Sequence, residues 1–319
     1  MGIVKLSPAF KDYLWGGEKL KTKYNKQTNL RPLAESWELS THPDGQSTVV
    51  TGKYAGCTFS EYLAGIGKPA WGTNAQEFED FPVLIKFIDA KQSLSIQVHP
   101  SDEYALRVER EYGKTEMWYI LDCEIGAYLY FGVAHEITKE EFGKAIEDDT
   151  LCGLLKRVPV KKGDVFFIPA GTVHAIGAGI MICEIQQNSN STYRVYDFGR
   201  RDKQGNLREL HIDKALAVSN LQPSERSVSG KKWMDGCGAA HTALASCPYF
   251  TTELITSTGQ VVVHAGEESF VSLVILEGAG TAACGDDRID FLAGDSLFVP
   301  ASSGKVTVMG ECALIKTTV

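Results

Sequence analysis

Eight positions written Gly-Asp-x-x-Phe-(Ile/Val)-Pro-Ala occur twice in this chain, at 163–170 and again at 294–301, a displacement of 131 residues. A turn, strand and turn recurring at such a separation marks a duplicated β unit, which restricts the fold to two related halves. The length agrees, because 319 residues exceed the size at which one core usually stops growing. The copies part at their ends: the first continues Gly171-Thr172-Val173-His174, the second Ser302-Ser303-Gly304-Lys305. A metal-ligand type at 174 therefore has a lysine as its counterpart. The first copy reads as the working one and the second as its structural partner. The join is expected within 222–237, where Pro, Ser, Gly and charged residues replace apolar alternation. This gives a metal-binding domain over 1–229 and a C-terminal domain without ligands over 230–319.

From Phe81 onward, short apolar runs bounded by Gly, Pro, Asp and Ser predict strands near 83–88, 93–98, 117–121, 127–131, 164–168 and 180–185. Strands at this spacing with Gly-rich turns imply a mainly β protein, an antiparallel sandwich or barrel. Three segments break the rhythm and predict helices over 101–112, 138–157 and 213–220. They read as a helical elaboration on the first half.

The formal charge of −8 removes the field that would hold nucleic acid, although a local basic pocket could still take a small phosphate. No apolar run approaches the roughly 18 residues needed to cross a bilayer, and no signal-like stretch opens the sequence. The eight cysteines form no CxxC pair, which fits reduced thiols in a cytoplasmic protein. The expected partner is a small molecule, with no nucleic acid and no membrane, and the protein is expected to be a monomer or homodimer.

One set of residues carries metal chemistry. Gln97 and His99 flank Val98 at the end of a β-rich run, so alternation puts both side chains on one face of a strand. Glu116 opens the strand after the helix expected over 101–112, and His174 follows the Pro169-Ala170-Gly171 turn. Two imidazoles, one carboxylate and one amide oxygen with an open position suit Zn²⁺, Mn²⁺, Fe²⁺ or Co²⁺, one ion per chain. Among the aromatics, Tyr193 is taken as a wall for a sugar ring. His42, His135, His211, His241 and His264 have no partner spacing and read as structural or exposed.

The stretch from Gly163-Asp164 through Pro169, Gly171 and His174 resembles the second motif of the cupin superfamily, whose fold implies two jelly-roll β-barrels. Leu94-Ser95-Ile96-Gln97-Val98-His99-Pro100 with Lys114-Thr115-Glu116-Met117 resembles, within it, the type I phosphomannose isomerases in their shorter bacterial form. Trp15-Gly16-Gly17, Ala34-Glu35-Ser36-Trp37-Glu38, Lys86, Cys183-Glu184 and Ser191-Thr192-Tyr193-Arg194 follow in the family's order. The resemblance implies that Gln97, His99, Glu116 and His174 bind zinc. It implies active-site roles for Arg194, Lys114 and Glu184, and places Ser95 and Lys86 at the substrate's phosphate end. The activity it implies is interconversion of D-mannose 6-phosphate and D-fructose 6-phosphate through a metal-assisted enediol.

That chemistry moves a proton between C2 and C1, so it needs a base, an electrophile and a proton path between O1 and O2. Glu184 sits within an apolar run, where a carboxylate must have a partner. It and Lys114 are rival bases. Two other readings stand beside the isomerase: an aldose isomerase tolerant of unphosphorylated sugars, and a non-catalytic sugar-binding bicupin.

Overall fold

The computed structural model describes residues 2–201, 204–225 and 230–319. Both copies of the repeated octad form the same local unit. Gly163 and Gly294 turn at φ +86° and +95°, and each leads into a short strand, Val165–Ile168 and Ser296–Val299. A Cβ on Gly294 would stand 2.7 Å from the carbonyl oxygen of Tyr24, so this glycine is required both by its dihedral and by the close approach. The repeated phenylalanines serve one purpose: Phe298 lies in a large shared core and Phe167 packs against it.

The chain is mainly β, as expected, and its strands form three sheets among the described residues. A six-stranded antiparallel sheet has the order Val165–Ile168, Glu116–Cys123, Ile180–Gln187, Val83–Ala90, Glu35–Leu39, Ala9–Lys11. A five-stranded sheet has the order Tyr193–Tyr196, Ile96–Val98, His174–Ala175, Tyr128–Val133, Leu155–Pro159. The C-terminal half contributes most of an eleven-stranded sheet centred on Val271–Cys284 and Cys312–Thr318.

Strand alternation sorts the apolar residues into layers. One face of the six-stranded sheet, with Val83, Ile85, Phe87, Met117 and Cys183, packs with Phe59, Phe270, Phe298 and Ile315 into the core shared by both halves. Its other face, with Ile88, Trp118, Ile120 and Ile182, meets Leu129 and Phe131 of the five-stranded sheet and Ile176 just beyond its strand His174–Ala175. Beyond that sheet, Ile96, Val98, Val133 and Val195 are covered by Phe142, Ile146 and Ala215 of the helices Lys139–Glu147 and Ile212–Val218. The C-terminal half keeps a core of its own around Leu273, Ile275, Leu297, Val306 and Leu314.

Two expected helices are shorter than the sequence predicts. The helix expected over 138–157 ends at Glu147, because Asp149 adopts φ +58° and the chain then runs through the turn Leu151–Gly153 into the strand Leu155–Pro159. The helix expected over 101–112 spans only Asp102–Val108. The first 80 residues, for which the sequence reading names no elements, hold the strands Val4–Ser7, Ala9–Lys11 and Glu35–Leu39 and the helices Lys19–Tyr24 and Phe59–Ile66. Val4–Ser7 inserts into the C-terminal sheet between Ser296–Val299 and Thr48–Val49. The expected join at 229/230 abuts residues 226–229, which lie outside the described residues.

Candidate metal centre and active site

Two rows of cross-strand neighbours face each other across the gap between the smaller sheets. In the six-stranded sheet, Trp37 pairs Lys86, Lys86 pairs Glu184, and Glu184 pairs Trp118, four residues at one level of four adjacent strands. Glu116 lies two residues from Trp118 on the same face and pairs Gln186. In the five-stranded sheet, Arg194 pairs Gln97 and Gln97 pairs His174. Because directly opposed residues in a ladder share a face, register alone brings these charged side chains to one place.

His99, Glu116 and His174 form one buried cluster whose ligand atoms all lie within 4.8 Å of one another. Each imidazole is fixed by its far nitrogen: His99 Nδ1 donates to the carbonyl of Ser191 at 3.0 Å, and His174 Nδ1 to that of Thr172 at 2.8 Å. Both Nε2 lone pairs are thereby turned inward. His174 Nε2 is 3.3 Å and His99 Nε2 3.5 Å from the Glu116 carboxylate. Burial lowers the His174 pKa to about 4, and burial together with Lys114 lowers that of His99. Neither ring carries a proton toward Glu116 near neutrality, and Glu116 Oε1 is buried without a hydrogen-bond donor. Two lone pairs and an unsatisfied carboxylate oxygen converging in a buried site are a poor arrangement for protein atoms alone and a good one for a divalent cation. Gln97 Nε2 stands 3.3 Å from His174 Nε2, so a half-turn of the amide presents its oxygen at the same point.

An alternating series of buried charges leads away from this cluster. Lys114 Nζ is 2.8 Å from Glu116 Oε2 and 3.6 Å from Glu184 Oε1, and Lys86 Nζ is 3.6 Å from the same Glu184 oxygen and 3.9 Å from Glu35. Trp118 Nε1 donates to Glu184 Oε2 at 2.9 Å, and Trp37 Nε1 to Glu35 at 2.6 Å. Burial raises the pKa of Glu116. Burial would raise that of Glu184 too, but Lys114, Lys86 and the Trp118 bond outweigh it and hold Glu184 below its ordinary value. For Lys114, burial works downward, yet Glu116 and Glu184 push the net shift upward. Three carboxylates face two ammonium groups and two neutral imidazoles, so the cluster is short of positive charge and the residues present fit a bound dication.

Lys86, Ser95, Gln97, Lys114, Glu184 and Arg194 line a polar cavity of about 270 Å³ beside the cluster. Arg194 Nη1 donates to the carbonyl of Glu209 at 2.8 Å while its buried Nε has no partner. Burial and the neighbouring Arg208 both act against its charge. Tyr193 is a correction to the sequence reading. Alternation turns it to the opposite face from Arg194, where it is buried in the apolar layer under the helices and its hydroxyl donates to Glu109 at 2.8 Å. It does not line the cavity. Sequence reasoning missed Glu35 and Arg208, which do. Glu35 stands two residues from Trp37, and that spacing was its available signal; Arg208 lies in a polar stretch without periodicity and had none.

Over 310 residues, 96% of both chains, this sequence is 38% identical to the mannose-6-phosphate isomerase ManA of Bacillus subtilis. The chain belongs to the type I phosphomannose isomerase family. Its residues 3–122 match the family model for the type I phosphomannose isomerase catalytic domain, and 240–319 that for the mannose-6-phosphate isomerase cupin domain. A mannose-6-phosphate isomerase of Streptococcus mutans is 37% identical over 288 residues, 90% of this chain and 89% of that one. The crystal structure of the Bacillus subtilis mannose 6-phosphate isomerase superposes with a TM-score of 0.93 at 33% identity over the whole of both chains. Among the described residues, no helix is long and apolar enough to cross a membrane.

Proposed function

We infer that this chain interconverts D-mannose 6-phosphate and D-fructose 6-phosphate. The observation that carries the reading is the convergence, on one polar cavity, of the His99–Glu116–His174 cluster with Lys114, Glu184 and Arg194.

His99, Glu116, His174 and Gln97 would hold the metal, and zinc suits two neutral imidazoles and a carboxylate with room for exchangeable ligands. Such an ion supplies Lewis acidity toward the sugar's oxygens. The remaining steps belong to the chain's own side chains. Glu184 lines the cavity, its Oε1 is free of hydrogen-bond donors, and it is held ionised by Lys114 and Lys86, which supports it as the base that carries the proton between C2 and C1. Lys114, held protonated by Glu116 and Glu184, supports the negative charge that develops on oxygen as the enediol forms. Arg194, with an unpaired buried Nε and Arg208 as a second guanidinium on the wall, offers the planar donors that an anionic group requires. Ser95 and Lys86 complete the cavity wall as phosphate-end groups. The reading assigns the chemistry to 1–229 and a supporting role to 230–319. It is supported by the exposure of Lys305, the counterpart of His174.

The test is a coupled assay on protein stripped with chelator and reloaded with Zn²⁺, Mn²⁺ or Co²⁺, with mannose 6-phosphate and free mannose in parallel. The expected result is turnover that returns with metal and falls by several kcal/mol in transition-state binding without the phosphate. Equal kcat/KM for both sugars would point to a broader aldose isomerase, and metal uptake without turnover would overturn the isomerase reading.

A further inference from the structure

Glu111 does not line the cavity, yet both of its oxygens grip the 188–192 loop beside it. Oε1 accepts the backbone N–H of Asn190 at 2.7 Å, and Oε2 accepts the hydroxyl of Ser191 at 2.8 Å. A third bond fixes the carboxylate itself. The backbone N–H of Asp44 donates to His42 Nδ1 at 3.1 Å, which leaves His42 Nε2–H to donate to Glu111 Oε1 at 2.9 Å. The loop held in this way presents the Ser191 carbonyl that accepts His99 Nδ1–H at 3.0 Å. Asn190 and Thr192, on either side of that carbonyl, line the cavity.

We propose that Glu111 is a positioning residue for the metal centre, acting through the Ser191 carbonyl to set the tautomer and ring orientation of His99. The inference rests on the reading of His99 as a metal ligand. A ligating imidazole keeps its lone pair on the ion only while its other nitrogen is anchored, and loss of such an anchor typically costs about 10- to 100-fold in metal affinity. The loop has further supports, since Ser189 Oγ accepts the N–H of Ser191 at 3.1 Å and Asn190 Nδ2 donates to Asp44 at 2.7 Å. Removing Glu111 therefore loosens the carbonyl without unravelling the loop.

The experiment measures Zn²⁺ dissociation constants by competition with a chromophoric chelator on full-length protein, with thermal unfolding of the metal-free forms alongside. Glu111→Ala is expected to bind zinc about 10- to 100-fold more weakly than the wild type. Glu111→Gln should regain most of that loss, because its carbonyl oxygen still accepts from Asn190 and its amide can donate to the Ser191 hydroxyl. Glu109→Ala is the control: it removes an acid two residues away that accepts from Tyr193 and Lys214 and touches neither Asn190 nor Ser191. An unchanged zinc constant in Glu111→Ala, or an equal weakening in Glu109→Ala, would overturn the proposal while leaving the metal reading intact. A wild-type chain that takes up no zinc would remove both.

Discussion

Glu111 shows how a side chain outside the cavity reports on the loop that shapes it. Burial pushes its carboxyl upward, but the bonds from His42, Asn190 and Ser191 prevail and bring the folded-state value down from 4.5 to about 2. A carboxyl depressed in the folded state stabilises the protein fully above its unfolded pKa, and that stabilisation is lost as the pH falls through the folded value. The metal-free wild type should therefore lose more stability than Glu111→Gln between about pH 5 and pH 2, and the gap should close at the acid end. Urea unfolding at a series of pH values would read this, and parallel curves for the two proteins would contradict it. The ligand set was legible at this scale because Gln97 and His99 alternate before Pro100, His174 follows the Pro169-Ala170-Gly171 turn, and Glu116 begins a strand. His42 was read as structural or exposed; its link to Glu111 spans 69 residues, and no local pattern encodes a hydrogen bond at that distance.

The elements were legible wherever a strand had one apolar run and a clear stop. Val83–Ala90 and Ile180–Gln187, buried along their whole length, stood out in sequence because strands covered on both faces read as continuous apolar runs. Short edge strands such as Ala9–Lys11 have no such run and were missed. The helix Phe59–Ile66 carried a signal that went unread: Thr58 and Glu61 form a reciprocal cap in the Thr-x-x-Glu pattern. The same device starts Lys139–Glu147, where Thr138 Oγ1 accepts the N–H of Glu141 at 3.1 Å and Glu141 Oε2 accepts that of Thr138 at 2.8 Å. Replacement Thr138→Ala should cost about 1 kcal/mol, measured as a shift of the urea midpoint at constant slope. A change under about 0.3 kcal/mol would mean that packing of Phe142 and Ile146 holds this helix without its cap.

For the whole molecule, the repeated octad was the most informative stretch of sequence, and its phenylalanines show why. Phe298 contacts Phe59, Phe81 and Phe270 at ring separations of 4.9, 6.0 and 5.4 Å, and Phe167 meets Phe250 at 6.5 Å. Each copy thus supplies a ring to the core that joins the halves. Phe298→Ala should remove about 3–5 kcal/mol of stability and lower the unfolding temperature of the whole chain in a single transition. Two separated transitions would show instead that the halves melt independently. What the sequence could not convey was the crossing of its own ends: nothing in Val4–Ser7 announces a partner nearly three hundred residues away. That crossing has a consequence for biosynthesis. The ribosome delivers Val4–Ser7 well before Ser296–Val299, the two separated by about 15–60 s at 5–20 residues per second. Ile3, Val4 and Leu6, all buried in the finished molecule, remain without their Ser296–Val299 partner throughout that interval. Thr48–Val49 can pair one edge of Val4–Ser7 early, but its other edge waits for Ser296–Val299, so the sheet that joins the halves closes late in synthesis.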